Sequence, residues 1–199
     1  MAQYIYGYPW HLDDTWTTLS RPITWLEEGF ISLRGGGLSV DDMYMGTALT
    51  TAWAKISGDS IPRQSLKLDN KCISGQVEHL RYAGNQILGL SHYLTRDSWI
   101  HHGYNYYPGH LSCCVWARGN GWATLAMTEF LLAAREAGLE DDDILVSEVR
   151  SLFSSQISQL LDIQTSGGLW PNILTNNETF LETSASAMFL TGFAWVTGV

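Results

Sequence analysis

Apolar residues recur with the period of an α-helix in five segments of this 199-residue chain, and strand-like alternation is weak throughout. Such spacing puts the apolar side chains of a segment on one face, as a helix packed against a core requires. We therefore expect an all-α fold in which helices alternate with loops. Residues 1–38 lack lasting periodicity and are predicted to be an irregular lead-in, while residues 39–199 are predicted to form helical hairpins of the same single domain.

Capping residues and glycines set the expected helix ends. The first helix should follow Ser39 and stop at Gly58, and the second should span residues 74–94. A third should begin at Gly121 and end before Gly138, and a fifth should begin near Thr183, capped by Thr183 or Ser184. The inward face of the first helix is predicted to comprise Met45, Ala48, Leu49, Ala52, Trp53 and Ile56. The fourth helix is predicted from a stripe at Val146, Val149, Phe153, Ile157 and Leu160.

Composition narrows the classes of partner. Charged residues make up only 16% of the chain, and its 9 Trp and 9 Tyr suggest a large interior or an aromatic-lined cleft. The net charge of −9 argues against nucleic acid, which requires a basic face. No run of apolar residues is long enough to span a membrane, so no membrane partner is expected. The N-terminus lacks the features of a signal peptide, which favours a cytoplasmic protein.

The three cysteines, Cys72, Cys113 and Cys114, do not make a disulfide framework. Their number is odd, and adjacent cysteines rarely satisfy the geometry of a bridge. There is also no Cys-x-x-Cys pair to indicate zinc. We expect three free thiols, mostly buried, and no metal site.

Two long connections, residues 98–119 and 164–182, are rich in Trp, Tyr, His and Asn. Connections of this length are usually functional or disordered, and their composition is not that of a disordered segment. We expect both to be ordered and to line a site.

The first candidate for chemistry is the acidic pair Asp41 and Asp42 at the start of the first helix. Acidic residues in a first turn favour the helix dipole by about 0.3–1 kcal/mol, which would explain the pair without any function. If Ser39 is the N-cap, however, Asp42 is its partner in a capping box and Asp41 is left for another role. In a pocket, desolvation raises the pKa of a carboxyl group and lets it donate a proton near neutral pH.

The second candidate is the segment around Trp-Ala-Arg-Gly-Asn-Gly-Trp, which runs from Trp116 to Trp122. Its glycines allow sharp backbone turns beside a helix start. Arg118 is a natural planar partner for a carboxylate, and the indoles can pack against the C–H faces of a sugar. The alternative is a capping loop with core tryptophans and an Arg118 that faces solvent.

Taken together, these segments resemble the unsaturated glucuronyl and rhamnogalacturonyl hydrolases of glycoside hydrolase families 88 and 105. The similarity covers residues 30–199 and rests on matching segments in the family's order. These are Val40-Asp41-Asp42-Met43-Tyr44-Met45, His102-Gly103-Tyr104, Trp116-Ala117-Arg118-Gly119-Asn120-Gly121-Trp122, Gly168-Leu169-Trp170 and Leu181-Glu182-Thr183-Ser184-Ala185-Ser186-Ala187-Met188. The resemblance implies an (α/α)6 barrel of six helical hairpins. With five predicted helices, we expect a partial barrel, a fragment incomplete at both ends.

The resemblance also implies a reaction. The substrate would be an oligosaccharide with a terminal 4,5-unsaturated uronic acid, and an Asp would protonate the vinyl ether so that water adds at C5. That Asp matches Asp41, while His102, Trp116, Arg118 and Trp122 match positions that contact the substrate. No metal or cofactor is implied.

Two departures from the family keep alternatives open. Pro171-Asn172 stands where the family often has His-Gln, and the part of the family that supplies a second acidic residue has no counterpart here. One alternative is a catalytically inactive, truncated remnant or a sugar-binding fragment of the same fold. Another is a polysaccharide lyase built on similar hairpins.

Overall fold

A computed structural model of the chain describes residues 37–57, 67–68, 71–72, 75–105, 110–139 and 143–197. Five α-helices lie in these ranges: α1 (Val40–Ser57), α2 (Gly75–Leu94), α3 (Ala117–Glu136), α4 (Ile144–Asp162) and α5 (Thr183–Thr197). The predicted helical fold is confirmed for this part of the chain. Most of the predicted lead-in, residues 1–36, lies outside the described residues.

Nine short strands occur in the same part of the chain, where the sequence predicts only loops. They are β1 (Gly37–Ser39), β2 (Lys67–Leu68), β3 (Lys71–Cys72), β4 (Thr95–Arg96), β5 (Trp99–Ile100), β6 (Gly103–Asn105), β7 (His110–Leu111), β8 (Pro171–Ile173) and β9 (Asn176–Leu181). Each strand has six residues or fewer, too few for the alternation of side chains to stand out in a sequence. The described parts of the two long connections are thus ordered by strand pairing.

The start of α1 has the predicted capping box. The backbone N–H of Ser39 donates to Asp42 Oδ2 at 3.0 Å, and Ser39 Oγ accepts from the N–H of Asp41 at 3.3 Å. Asp42 is 2% exposed and is therefore occupied by the cap, as predicted. Asp41 does not take part in the box through its carboxylate, which remains 24% exposed.

The predicted inward face of α1 is wrong. Met45, Leu49 and Ile56 are between 42% and 68% exposed, and Ala52 is exposed as well. The buried face of α1 instead consists of Val40, Met43, Thr47, Thr50, Thr51 and Ala54. Threonine can take this place because its hydroxyl hydrogen-bonds within the helix, as that of Thr50 does with the carbonyl of Gly46 at 2.9 Å.

The other helices agree with the prediction, except that α3 begins earlier than expected and α5 has a different cap. The bounds of α2 and the start of α5 lie within a residue or two of those expected. The predicted stripe of the fourth helix lies within α4, and its residues Val146, Val149, Phe153 and Leu160 are buried. Helix α3 begins at Ala117 rather than Gly121, so Arg118 and both glycines of the motif are helical. The cap of α5 is also different, since Glu182 rather than Thr183 or Ser184 accepts the N–H of Ala185.

The core has two parts. Helix α1 packs on α2 and α3, and α3 also packs on α4 and α5. The larger cluster lies among α1 to α4, with Met127, Phe130 and Phe153 fully or almost fully buried. The smaller cluster surrounds Trp170, whose indole N–H donates to the carbonyl of Leu160 at 2.7 Å. No helix among the described residues is long and apolar enough to cross a membrane.

Two small sheets connect the helix ends that matter for the site. Strands β1, β6 and β7 form an antiparallel sheet in the order β1-β6-β7, with Ser39 opposite Gly103. Strands β8 and β9 form a hairpin, and Ile173 bridges to Trp116 just before α3. The first sheet therefore brings the start of α1 to the 101–105 segment, and the hairpin brings the start of α5 to the start of α3.

Candidate active site

Asp41 lies at the start of α1 with its side chain 24% exposed. One of its oxygens, Oδ2, accepts from Ser39 Oγ at 2.8 Å and lies 3.3 Å from His102 Nε2. The backbone fixes this meeting, because the N–H of Val40 donates to the carbonyl of His102 at 2.9 Å. Asp41 is thus an accessible carboxyl group held between a hydroxyl and an imidazole.

The His102 segment is fixed from its other side as well. The N–H of His102 donates to the carbonyl of Cys114 at 3.2 Å, and the ring of His101 bonds to the carbonyl of Ser112 through Nδ1 at 2.8 Å. The His102 ring meets the indole of Trp116 edge-on, with 4.9 Å between centroids and 66° between planes. This arrangement leaves Nε2 of His102 directed at Asp41.

Arg118 also contacts Trp116. Its guanidinium carbon is 5.3 Å from the centroid of the indole ring, within the range of a cation–π contact. Its Nη2 donates to Glu182 Oε1 at 3.4 Å, and the Arg118 side chain is 44% exposed. An exposed cation therefore stands beside the ring that His102 also contacts.

Trp122 lies one helical turn beyond Arg118 on α3 and stacks on Tyr44 of α1, with 5.0 Å between ring centroids and 28° between planes. The phenol of Tyr44 donates to Glu129 Oε1 at 3.0 Å. Burial, and then the contact with Glu129, raises the pKa of this phenol above its usual value. The phenol accordingly stays a hydrogen-bond donor at neutral pH. Among the predicted site residues, contacts join Asp41 to His102, His102 to Trp116 and Trp116 to Arg118. Trp122 lies one turn further along α3 and contacts Tyr44 instead.

Asn120 is a residue whose role the sequence did not reveal. It is 1% exposed, and its side-chain amide donates to the carbonyls of Ile100 at 2.8 Å and Trp116 at 3.0 Å. Its Oδ1 accepts from Gln156 of α4 at 3.2 Å. Asn120 therefore links Ile100, two residues before His102, to Trp116. The available signal was the place of this asparagine between the two glycines of the Trp116–Trp122 motif.

The motif glycines serve packing rather than turns. A Cβ on Gly119 would lie 2.5 Å from Val40 Cγ1, and one on Gly121 would lie 2.5 Å from Met188 Sδ. Both distances are far below a normal contact between heavy atoms, so a side chain from the start of α1 packs directly on α3 at Gly119 and one from α5 packs on it at Gly121. The expectation of sharp turns was wrong because both glycines lie within α3.

The cysteines near the site are more exposed than predicted. Cys113 is exposed and Cys114 half-buried, and neither is in a disulfide, while the side chain of Cys72 lies outside the described residues. A hydrogen bond with Cys113 is the main cause that raises the pKa of the Cys114 thiol. No cluster of three or more His, Cys, Asp or Glu side chains suited to a metal ion occurs in the part of the chain that the structure describes.

The model of Glycosyl Hydrolase Family 88 matches residues 10–198, which is nearly the whole chain. The chain therefore belongs to glycoside hydrolase family 88. Among curated proteins it is 26% identical to the unsaturated rhamnogalacturonyl hydrolase YesR of Bacillus subtilis (strain 168) over 204 residues, covering 81% of this chain and 58% of that protein.

Solved structures show which fold the chain has. One is a possible member of family 105 from Klebsiella pneumoniae, with a TM-score of 0.71 and 21% identity over 99% of this chain and 47% of the other. Another is the unsaturated glucuronyl hydrolase of Bacillus sp. GL1, with a TM-score of 0.59 and 15% identity over 99% of this chain and 49% of the other. The predicted partial (α/α)6 barrel is confirmed, and the chain spans about half the length of these relatives.

Proposed function

We propose that this chain hydrolyses oligosaccharides that carry a 4,5-unsaturated uronic acid at the non-reducing end, with Asp41 as the catalytic acid. The observation that carries the proposal is the position of Asp41, an accessible carboxyl group in contact with His102, whose ring packs on the same indole, Trp116, that the exposed Arg118 contacts. Membership of family 88 and the likeness to unsaturated uronyl hydrolases support the same substrate class.

The reaction uses a vinyl ether rather than a direct displacement. The Asp41 carboxyl group gives its proton to C4 of the double bond, and positive charge develops at C5 beside the ring oxygen. Water adds at C5, and the carboxylate left on Asp41 can accept the proton that this water releases. The product is a hemiketal, which opens and frees the remaining sugar.

The neighbouring side chains fit the other parts of such a substrate. The uronate carboxylate matches the guanidinium of Arg118, which offers planar donors to a planar anion. The rings of Trp116 and Trp122 supply apolar surface for sugar C–H faces. His102 is placed to orient Asp41 through the 3.3 Å contact with Oδ2. The described site residues require no cofactor for these roles.

The test is the ultraviolet absorbance of the double bond, followed with a lyase-made unsaturated disaccharide. Asp41→Asn should lower the turnover rate by about 10²–10⁴-fold, the usual contribution of a general acid. Asp143→Asn, the same change at the start of α4, serves as the matched control and should retain activity.

Three outcomes would contradict the proposal. Full activity of Asp41→Asn would refute the choice of acid. A gain in absorbance with an intact polysaccharide would indicate a lyase. Calorimetric binding of the disaccharide without any turnover by the unmodified chain would show a sugar-binding fragment and not a hydrolase.

A further inference from the structure

We infer that Glu182 is a positioning residue, whose carboxylate holds the guanidinium of Arg118 over Trp116 and so aims it at the substrate carboxylate. The inference rests on the proposed function, in which Arg118 meets a uronate. Glu182 precedes α5 and Arg118 lies in the first turn of α3, so the contact joins two helix starts.

Glu182 divides its two oxygens between two tasks. Oε2 accepts from the N–H of Ala185 and from Ser184 Oγ, and so caps α5. Oε1 accepts from Ser184 Oγ at 3.0 Å and from Arg118 Nη2 at 3.4 Å. A cap needs one acceptor close to the backbone, which Ser or Asp provides at lower cost in side-chain freedom. The longer glutamate side chain also reaches Arg118.

The electrostatics of Arg118 point the same way. A cation in the first turn of a helix opposes the helix dipole, so its place in α3 is unfavourable by itself. The Glu182 side chain is only 8% exposed, and a buried carboxylate is stable only when paired or hydrogen-bonded. Each group therefore compensates the other, while the 44% exposure of Arg118 leaves part of the guanidinium accessible to a ligand.

Backbone contacts make the pair rigid. The N–H of Glu182 donates to the carbonyl of Trp170 at 2.8 Å, and Trp170 is fully buried in the smaller core cluster. The backbone of Trp170 is fixed in turn, because its N–H donates to Ser186 Oγ at 3.1 Å. Glu182 is thus anchored at both its backbone and its carboxylate, as a residue that orients another must be.

The experiment compares Glu182→Gln and Glu182→Asp with Glu178→Gln, an exposed glutamate on strand β9 that serves as the matched control. Aspartate keeps the charge and can still cap α5, but its side chain is one methylene too short for Arg118. Both Glu182 variants should raise KM for the unsaturated disaccharide about tenfold, the size of one charge-assisted contact, with kcat little changed. The effect should be absent for the methyl ester of the same disaccharide.

A double-mutant cycle separates positioning from stability. In an Arg118→Gln background, Glu182→Gln should change KM no further, because its effect passes through Arg118. An equal effect of Glu182→Gln in both backgrounds would overturn the inference. So would a Glu182→Asp variant that keeps the KM of the unmodified chain.

A readout independent of turnover keeps this inference distinct from the proposed function. The side-chain Nε–H resonance of Arg118, assigned by its loss in Arg118→Gln, should shift in Glu182→Gln and Glu182→Asp but not in Glu178→Gln. An unmodified chain without activity would refute the proposed function, while this shift would still support the tether. An unshifted resonance in both Glu182 variants would overturn the tether even in an active enzyme.

Discussion

Replacing Gly119 with alanine tests how closely α3 approaches the start of α1. The added Cβ would lie 2.5 Å from Val40 Cγ1 and 3.1 Å from Trp116 Cε3, where carbon atoms normally stay about 3.5–4.0 Å apart. Val40 is fully buried, so it has little room to move. Overpacking of this kind costs about 1–3 kcal/mol, against a gain of about 0.5–1 kcal/mol from replacing a helical glycine. We expect a net loss of stability of about 1–2 kcal/mol.

The assay is urea unfolding, read as the midpoint at constant slope. Val40→Ala removes the atom that the new Cβ would meet at 2.5 Å but leaves Trp116 Cε3 at 3.1 Å, so in that background the loss caused by Gly119→Ala should shrink to about 0–1 kcal/mol. Gly75→Ala is the control, because a Cβ at that position meets nothing within 4 Å. The same free-energy change for Gly119→Ala in both backgrounds, or a value equal to that of Gly75→Ala, would refute the close approach.

Two further predictions concern stability. Asp143→Ala should cost about 1–2 kcal/mol in urea unfolding, because Asp143 caps α4 through Leu145 at 3.0 Å and pairs with Arg81 at 2.6 Å. Asp143→Asn should cost less, since the amide oxygen can still cap, and equal losses would argue against the cap. Trp170→Phe should cost about 1–3 kcal/mol in a thermal melt because it leaves a cavity and removes the hydrogen bond from the indole N–H to the carbonyl of Leu160, whereas Trp53→Phe, at a half-buried position, should cost less.

Local chemistry is the part of this fold that the sequence predicts well. The spacing of Ser39 and Asp42 is enough to predict the capping box, and therefore to separate Asp42 from Asp41. Both sides of that interaction lie within one turn of chain, so no distant residue can alter it. The helix ends at Leu94 and Ser57 were predictable for the same reason.

The orientation of α1 could not be predicted, because periodicity shows that a stripe exists and not which stripe is buried. Two threonines on the buried face, Thr47 and Thr50, donate their hydroxyls to the carbonyls of Met43 and Gly46 within the helix. The apolar row of Met45, Leu49 and Ile56 has the stronger signal and is nevertheless exposed. Only the position of α2 and α3 decides between the two faces.

Distance in sequence explains the other errors. Glycine is needed at positions 119 and 121 because Val40 and Met188, both distant in the sequence, occupy the space that a Cβ would fill. The role of Asn120 likewise depends on Ile100 and on Gln156. The sequence shows that such residues are unusual, and the structure alone shows what they contact.

The candidate site is assembled mainly by backbone hydrogen bonds between strands. The pairing of β1 with β6 brings Asp41 to His102, and the hairpin of β8 and β9 brings Glu182 to Arg118. Neither pairing depends on the side chains that would meet the substrate. The chemistry of these side chains can therefore be altered while their places in the fold persist, so a loss of activity in Asp41→Asn can be read as a loss of chemistry rather than of structure.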